Sequence, residues 1–486
     1  MRASARIFLP MTSDPSSTSW LDLLWGRNGL RSLALAGGVA VHAINVFIAT
    51  TILPSVVQDI GGLAYYAWNT TLFVAASILG SSSAPLGIHR YGLRRIFLYA
   101  LGLFVLGTIA CALAPTMPWL LFGRTWQGLG GGMLLSLSYA TVPLVFHEGL
   151  WPRAMALISG MWGVATLAGP AIGGAFAQAG LWRWAFWAVL PACACLGLLL
   201  VTQLGPLGRD PGAKPGVPLG RMGLLVGSVL VVSAASLSAA WGWQMAGVLG
   251  GLALVAALAR ADRRAAQRFL PEGAWSLSSP LGQRYAMIGL MSIGVTTEVF
   301  VPYFLQVIHG ATPLAAGYLS ALMSAGWTLG TLASSGRGPA AAGRLLIVGP
   351  LLSALALGGL CLLMPSPDVW VWTLGALLLG VGLGVGLCWP HLLTGVFRAA
   401  PEGQRNIASA AITTLQLYAM ALGASVAGMA ANAAGFTDPG GLAGARSAAW
   451  GVYGVFVCAP AVAAWLGGRA RRNDRPPGSR PAINPS

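Results

Sequence analysis

The apolar residues of this chain are gathered into blocks of about 20, and that grouping constrains its fold more than any other feature. A helix of that length crosses a hydrocarbon core of roughly 30 Å, and short Gly/Pro/Arg-rich stretches separate the blocks. In lipid every backbone group must be paired within its own segment, so the pattern predicts an all-α integral membrane protein. Composition agrees. Hydrophobic residues make up 56% of the 486 and charged residues 8%, against roughly a quarter charged in a soluble domain. Mean hydropathy is +0.73. So few charges could not cover a soluble surface, which excludes a soluble enzyme. The 67 glycines would weaken soluble helices but let membrane helices approach closely. Cys111, Cys193, Cys195, Cys361, Cys388 and Cys458 all fall inside apolar blocks without metal-ligand or redox spacing, so neither a metal nor a cofactor is expected.

The blocks place about fourteen spans at 32–56, 65–84, 95–113, 118–146, 152–178, 184–203, 221–240, 244–260, 285–307, 313–334, 343–364, 370–394, 405–432 and 447–467. With the N-terminus in the cytoplasm and loops assigned alternately, 25 of the 28 basic residues fall on the cytoplasmic side. Only Arg183 and Arg446 fall outside, and Arg124 lies within a span. This is the positive-inside bias, and it puts both termini in the cytoplasm. It also accounts for the net charge of +16 without a nucleic-acid partner. Charges interrupt the first thirty residues, so no cleavable signal peptide is expected, and Met11 is an alternative start. The Arg/Pro-rich tail from Arg469 suits contact with anionic lipid. The expected organisation is a tail over 1–31, six helices over 32–203, a linker with two extra helices over 204–284, six more helices over 285–467, and a tail over 468–486. Many arginines and almost no lysine suggest a GC-rich bacterial genome, hence a bacterial inner membrane.

Three motifs carry mechanism. The fourth span holds Arg124-Thr-Trp-Gln127-Gly128-Leu-Gly130-Gly131-Gly132. An arginine at membrane depth costs at least about 2.5–3.5 kcal/mol and is kept where it faces an interior or a wet cavity; a structural arginine satisfied by carbonyls is the alternative. The fifth span holds Gly160-Met-Trp-Gly163 through Gly169-Pro170-Ala-Ile-Gly173-Gly174, small residues for close contact with a proline that removes a backbone bond. Between spans two and three lies Gly87-Ile-His89-Arg90-Tyr91-Gly92-Leu93-Arg94-Arg95, a tight basic turn. Together with Ile52-Leu53-Pro54, Tyr66-Ala67-Trp68, Trp182-Arg183-Trp184-Ala-Phe186, Tyr303-Phe-Leu-Gln306 and Pro313-Leu-Ala-Ala-Gly317, these resemble the major facilitator superfamily, and in particular its fourteen-helix drug:proton antiporters.

The resemblance implies two six-helix bundles of major facilitator type around a central cavity, with two extra central helices. It further implies a monomer working by alternating access and exporting amphiphilic or cationic small molecules, drugs and dyes, against inward proton flow. By it, Arg124 with Gln127 and Gly128 would influence proton transfer, and Gly169, Pro170, Gly173 and Gly174 would shape the bundle interface against leak. His89, Gly92, Arg94 and Arg95 would belong to the inward gate. The chain departs from the family where acids are expected: His89 stands in the loop after span two, with Pro85 in place of a glycine and Leu93 in place of a base. Asn45 stands nine residues before Pro54, where the family often has aspartate. Histidine changes charge near neutral pH, so His89 is a candidate switch or an ordinary loop residue.

Eleven of the twelve acids lie in loops, tails or span ends, leaving Glu298 as the carboxyl well inside a span. It is the candidate proton carrier or cation attractor, with Pro302 opening a bend beside it; a neutral acid bonded to a neighbouring helix is the alternative. His42, a turn before Asn45, and His391 are further titrating candidates. Trp68, Trp162, Trp327, Tyr303 and Tyr418 are expected to line a cavity, and Trp119, Trp182, Trp241 and Trp370 to anchor span ends. A channel or membrane enzyme fits less well, since Glu298 has no acidic partner in the spans. Export of one specific metabolite, lipid or siderophore, and uniport without protons, remain alternatives.

Overall fold

The computed structural model describes residues 19–205, 219–238, 240–265 and 268–473, and the regular structure among them is entirely helical. The expectations about Met11, the central part of the first long loop and the tail beyond Asn473 lie outside the described residues. A short helix α1 (Trp20–Leu24) carries a capping box, Ser19 Oγ accepting from Asp22 N while Asp22 accepts from Ser19 N. Then follow α2 (Gly26–Ile60), α3 (Trp68–Tyr91), α4 (Leu93–Ala112), α5 (Met117–Val145), α6 (Trp151–Gln178), and α7 (Trp182–Trp187) with α8 (Val189–Gln203). The centre is a hairpin of α9 (Leu219–Ala235) and α10 (Trp241–Arg264). The second half is α11 (Pro280–Val295), α12 (Val301–Val307), α13 (Pro313–Ser334), α14 (Pro339–Leu363), α15 (Val371–Ala399), α16 (Arg405–Ala433), α17 (Gly441–Phe456) and α18 (Cys458–Asn473).

Local chemistry sets several boundaries. Gly92 takes φ +80° between α3 and α4, a conformation an L side chain rarely adopts, so the basic turn expected from the sequence is built on it. Ser279 and Thr312 cap α11 and α13 through Gly282 N and Ala315 N, each followed by a proline at the first helical position. The first span begins at Gly26, earlier than the expected 32.

Among the described residues, twelve helical segments are long and apolar enough to cross a membrane. At the two remaining expected places stand α9, apolar but shorter at 17 residues, and α13, whose Ser320, Ser324, Thr328, Thr331 and Ser334 dilute its apolarity. The two halves repeat one packing scheme. In the first, α5 lies against α3 and α4 while α2 lies along α6; in the second, α15 lies against α13 and α14 while α11 lies along α16. The last span of each half is interrupted, at Ala188 and at Val457.

Glycine makes the central contacts of each half. A Cβ on Gly128 would strike the Phe73 carbonyl and one on Gly132 the Ser77 carbonyl, so α5 meets α3 backbone to backbone. Gly326 and Gly382 bring α13 and α15 together in the same way. The two arginines outside the basic side are tied down. Arg183 Nη1 lies 2.5 Å from Asp59 Oδ2, and Arg446 Nε donates to the Pro365 carbonyl at 2.7 Å.

Candidate functional site

The first half encloses a polar network at membrane depth. Arg124 is 2% exposed. Its Nη1 donates to Gln127 Oε1 at 2.8 Å, and its Nε to the Asn69 carbonyl at 3.4 Å. Gln127 Nε2 passes the connection to Asn45 Oδ1 at 3.2 Å and Thr108 Oγ1 at 3.0 Å. Residues one turn apart on α5 thus gather partners from α2, α3 and α4. The ion pairs between described residues do not include Arg124; its guanidinium lies 4.1 Å above the Phe73 ring instead. The ring centre of His42 lies 5.2 Å from that of the same Phe73. His42 Nδ1, Asn45 Nδ2 and Asn69 Nδ2 are buried without a hydrogen-bond partner. Gly131 leaves room for His42: a Cβ there would lie 2.6 Å from Nδ1.

Glu298 lies apart from this network. The ninth span is broken by a 3-10 turn, Thr296–Val299, before α12 restarts ahead of Pro302, so the break expected at Pro302 lies earlier, in the turn that holds Glu298. Thr297 and Val299 are buried and Glu298 is partly exposed. The turn packs against α16 where Gly423 removes a side chain from the path of Thr296. Thus Arg124, Gln127, Asn45 and His42 come together, while Glu298 occupies the opposite half. A signal in the sequence marked this place and was missed: Pro54-x-x-x-Gln58 recurs as Pro302-x-x-x-Gln306. Superposing the prolines sets Glu298 opposite Thr50, which is also partly exposed.

The halves touch at one end. Tyr66, at the start of the second span, inserts among Phe300, Tyr303 and Phe436 with ring centres 5.1, 5.4 and 5.8 Å away. Thr71 and Ser425 hydroxyls lie 3.5 Å apart, and Asn432 Nδ2 donates to the Ala64 carbonyl at 3.4 Å. On the other side a Cβ on Gly174 would lie 2.6 Å from Leu314 Cα, and one on Gly317 3.0 Å from Pro170. The Gly-Pro motif therefore has two faces: Gly169 and Gly173 pack on α2 near Phe47 and Ile48, while Pro170 and Gly174 meet α13. His89 lies in the last turn of α3, Gly92 turns the chain, and Arg94 and Arg95 open α4, at the end of these helices away from Tyr66.

Two aromatic expectations need correction. Trp182 is 3% exposed rather than an interface anchor, because its Nε1 donates to Asp59 Oδ2 at 3.1 Å. Tyr303 is buried in the closed aromatic cluster and lines no open cavity, while Tyr418 is partly exposed with its hydroxyl 3.1 Å from Ser228 of α9. Trp119, Trp241 and Trp370 are exposed as anchors should be. His391 borders a separate cleft of about 950 Å3 with Arg284, Arg344 and Arg398 at the arginine-rich end of the second half.

Residues 35–424 match the sequence profile of the Major Facilitator Superfamily. The chain is 37% identical to a probable multidrug-efflux transporter of Mycobacterium tuberculosis, across 96% of this chain and 99% of that one. It is 29% identical to a tetracenomycin C resistance and export protein of Streptomyces glaucescens, over 74% of this chain and 68% of that one. In fold it is similar to a bacterial homologue of the human lysosomal transporter Spinster (TM-score 0.61, 16% identity, 92% of this chain and 97% of that one). A POT family transporter is comparably similar (TM-score 0.66, 13% identity, 91% of this chain and 96% of that one).

Proposed function

This chain belongs to the Major Facilitator Superfamily, a membrane transporter and not an enzyme, and from that premise we propose that it exports amphiphilic or cationic small molecules from a bacterial cell by proton antiport. The observation that carries the reading is the near-full-length similarity to a relative named as a probable multidrug-efflux transporter. In the proposed orientation both termini are cytoplasmic, so the aromatic end faces out and the basic turns line the inner mouth. The halves over 32–203 and 285–467 act as rocking bundles, with 204–284 as an inserted unit. The conformation described is then closed outside and parted inside, ready to load.

Chemically the two halves divide the work. Arg124, held by Gln127 and the Asn69 carbonyl, supplies a fixed positive charge in the first bundle. Asn45, standing where an acid was expected, cannot carry a proton, so coupling falls to Glu298 at the helix break. As a carboxylate Glu298 attracts a cation; protonated, it releases it. One group alternating between proton and substrate is sufficient for exchange.

The test is efflux of ethidium or tetraphenylphosphonium from proteoliposomes under an imposed pH gradient, with and without protonophore. Wild-type protein is expected to lose gradient-driven transport on adding protonophore, and Glu298→Gln to lack it throughout. Undiminished proton-driven transport by Glu298→Gln would remove the role of this residue. A second reading, export of one natural product, draws on the similarity to the tetracenomycin C export protein. Transport of one polyketide and of none of the dyes would favour it.

A further inference from the structure

Bundles that meet at one end and part at the other leave two wedge-shaped seams, one on each side. In this protein they are treated differently. The seam between α3 and α16 is filled by α9. Its polar contacts run to α16, with Ser228 3.1 Å from the Tyr418 hydroxyl and Ser233 2.6 Å from Ser425. Asn432 Nδ2 also donates to the Ser236 carbonyl at 3.0 Å. Its apolar side chains reach both walls: Met222, Leu225 and Val226 pack with Ala75 and Ile78 of α3 and with Leu417 of α16, and Val229 with Phe73 and Val74 of α3 and Ala421 of α16. The inner continuation of this seam is consequently buried, Ala75 at 2% and Ile78 at 0% exposure.

The seam between α6 and α13 has no such filling. Steps of three and four residues carry the α6 face from its closed-end contacts at Gly174 and Pro170 to Leu167, Gly163 and Gly160. Leu167 is 65% exposed, and a Cβ on Gly163 or Gly160 would meet nothing within 4 Å. On α13 the face that begins at Gly317 continues through Ser324 and Thr328 to Leu332, which is 70% exposed. The walls at these positions are Leu, Gly and Pro with the two hydroxyls of Ser324 and Thr328, without a charged side chain among them. A surface of that chemistry at membrane depth is wetted by lipid.

We propose that substrate enters sideways, from the leaflet at the arginine-rich end, through the α6–α13 seam alone, the α9–α10 hairpin having closed the opposite one. This rests on the export reading and narrows its substrate class to amphiphiles whose apolar body dissolves in that leaflet. The polar bonds of α9 to α16 and its apolar contact with α3 further imply that the hairpin travels with the second bundle and slides along the first.

The test separates the seam from transport. In a background lacking the native cysteines, a bimane label is placed at Gly163→Cys, at Thr328→Cys and, on the filled seam, at Leu417→Cys. The protein is held in nanodiscs containing doxyl-labelled lipid. At least twofold quenching at the first two sites and none at the third is expected. Equal quenching at all three would overturn the one-sided seal, and quenching at none would overturn the portal. In proteoliposomes Gly163→Trp is expected to lower the initial rate of tetraphenylphosphonium transport about tenfold, with Leu252→Trp, on the exposed outer face of α10, unchanged; an unchanged Gly163→Trp rate would count against entry here. Asymmetric quenching in a wild-type protein that moves no amphiphile would sink the export reading while leaving the seam geometry standing.

Discussion

At the residue scale, Gln127 is the hub of the network in the first half. It joins Arg124, Asn45 and Thr108, so Gln127→Leu leaves each of them short of a bond. An orphaned buried polar group costs about 1–3 kcal/mol. Thermal unfolding in nanodiscs should register a loss of about 2 kcal/mol or more, and an unshifted midpoint would mean that water replaces the amide. Much of this site was legible in the sequence. Arg124 and Gln127 are local on one helix, a turn apart, and Asn45 was found by counting from Pro54. Tyr66 was only half legible: it was noticed as a motif residue, but its partners Phe300, Tyr303 and Phe436 lie more than 200 positions away. No local periodicity encodes a contact of that range. Trp182 was misread for a related reason, because its burial depends on Asp59 across the bundle.

At the scale of helices, two predictions separate packing from display. Gly132→Leu would drive a side chain into the Ser77 carbonyl, whereas Gly160 faces open space. Gly132→Leu is expected to abolish the monodisperse peak on fluorescence-detected size exclusion, and Gly160→Leu to keep it. The base of the central hairpin is held otherwise. Asp262, 1% exposed, pairs with Arg221 at 2.6 Å and accepts from Leu270 N and Trp275 Nε1 at 3.1 and 3.0 Å. Breaking a buried pair from one side costs about 3–5 kcal/mol. Asp262→Ala should therefore speed amide exchange over 268–275 by at least tenfold, read by mass spectrometry. The spans themselves followed from apolar length, which acts within one helix. The role of α9 did not, since a filling helix and a lipid-facing one have the same composition.

At the scale of the whole molecule, alternating access requires the aromatic end to open. Cysteines at Gly174 and Leu314, where a Cβ on one approaches the backbone of the other, should form a bond under copper phenanthroline. Transport should then stop and recover on reduction. Full activity in the oxidised, cross-linked protein would exclude rocking at this seam. The repeated packing of the halves and their joining chiefly through two helix pairs, α6 with α13 and α3 with α16, fit such a motion.

The joined end has one more consequence. The ion pairs between described residues, Arg183–Asp59, Arg221–Asp262 and Arg268–Glu272, each stay within one half or within the hairpin and its linker. What crosses between the halves at the closed end is aromatic rings, glycine backbone and uncharged hydrogen bonds. Exposed charges lose their hold beyond a Debye length of about 10 Å at 0.1 M salt, but contacts of this kind have nothing to screen. The strength of these outer contacts should be nearly indifferent to ionic strength. It should respond to temperature instead, since parting the rings hydrates apolar surface and raises the heat capacity.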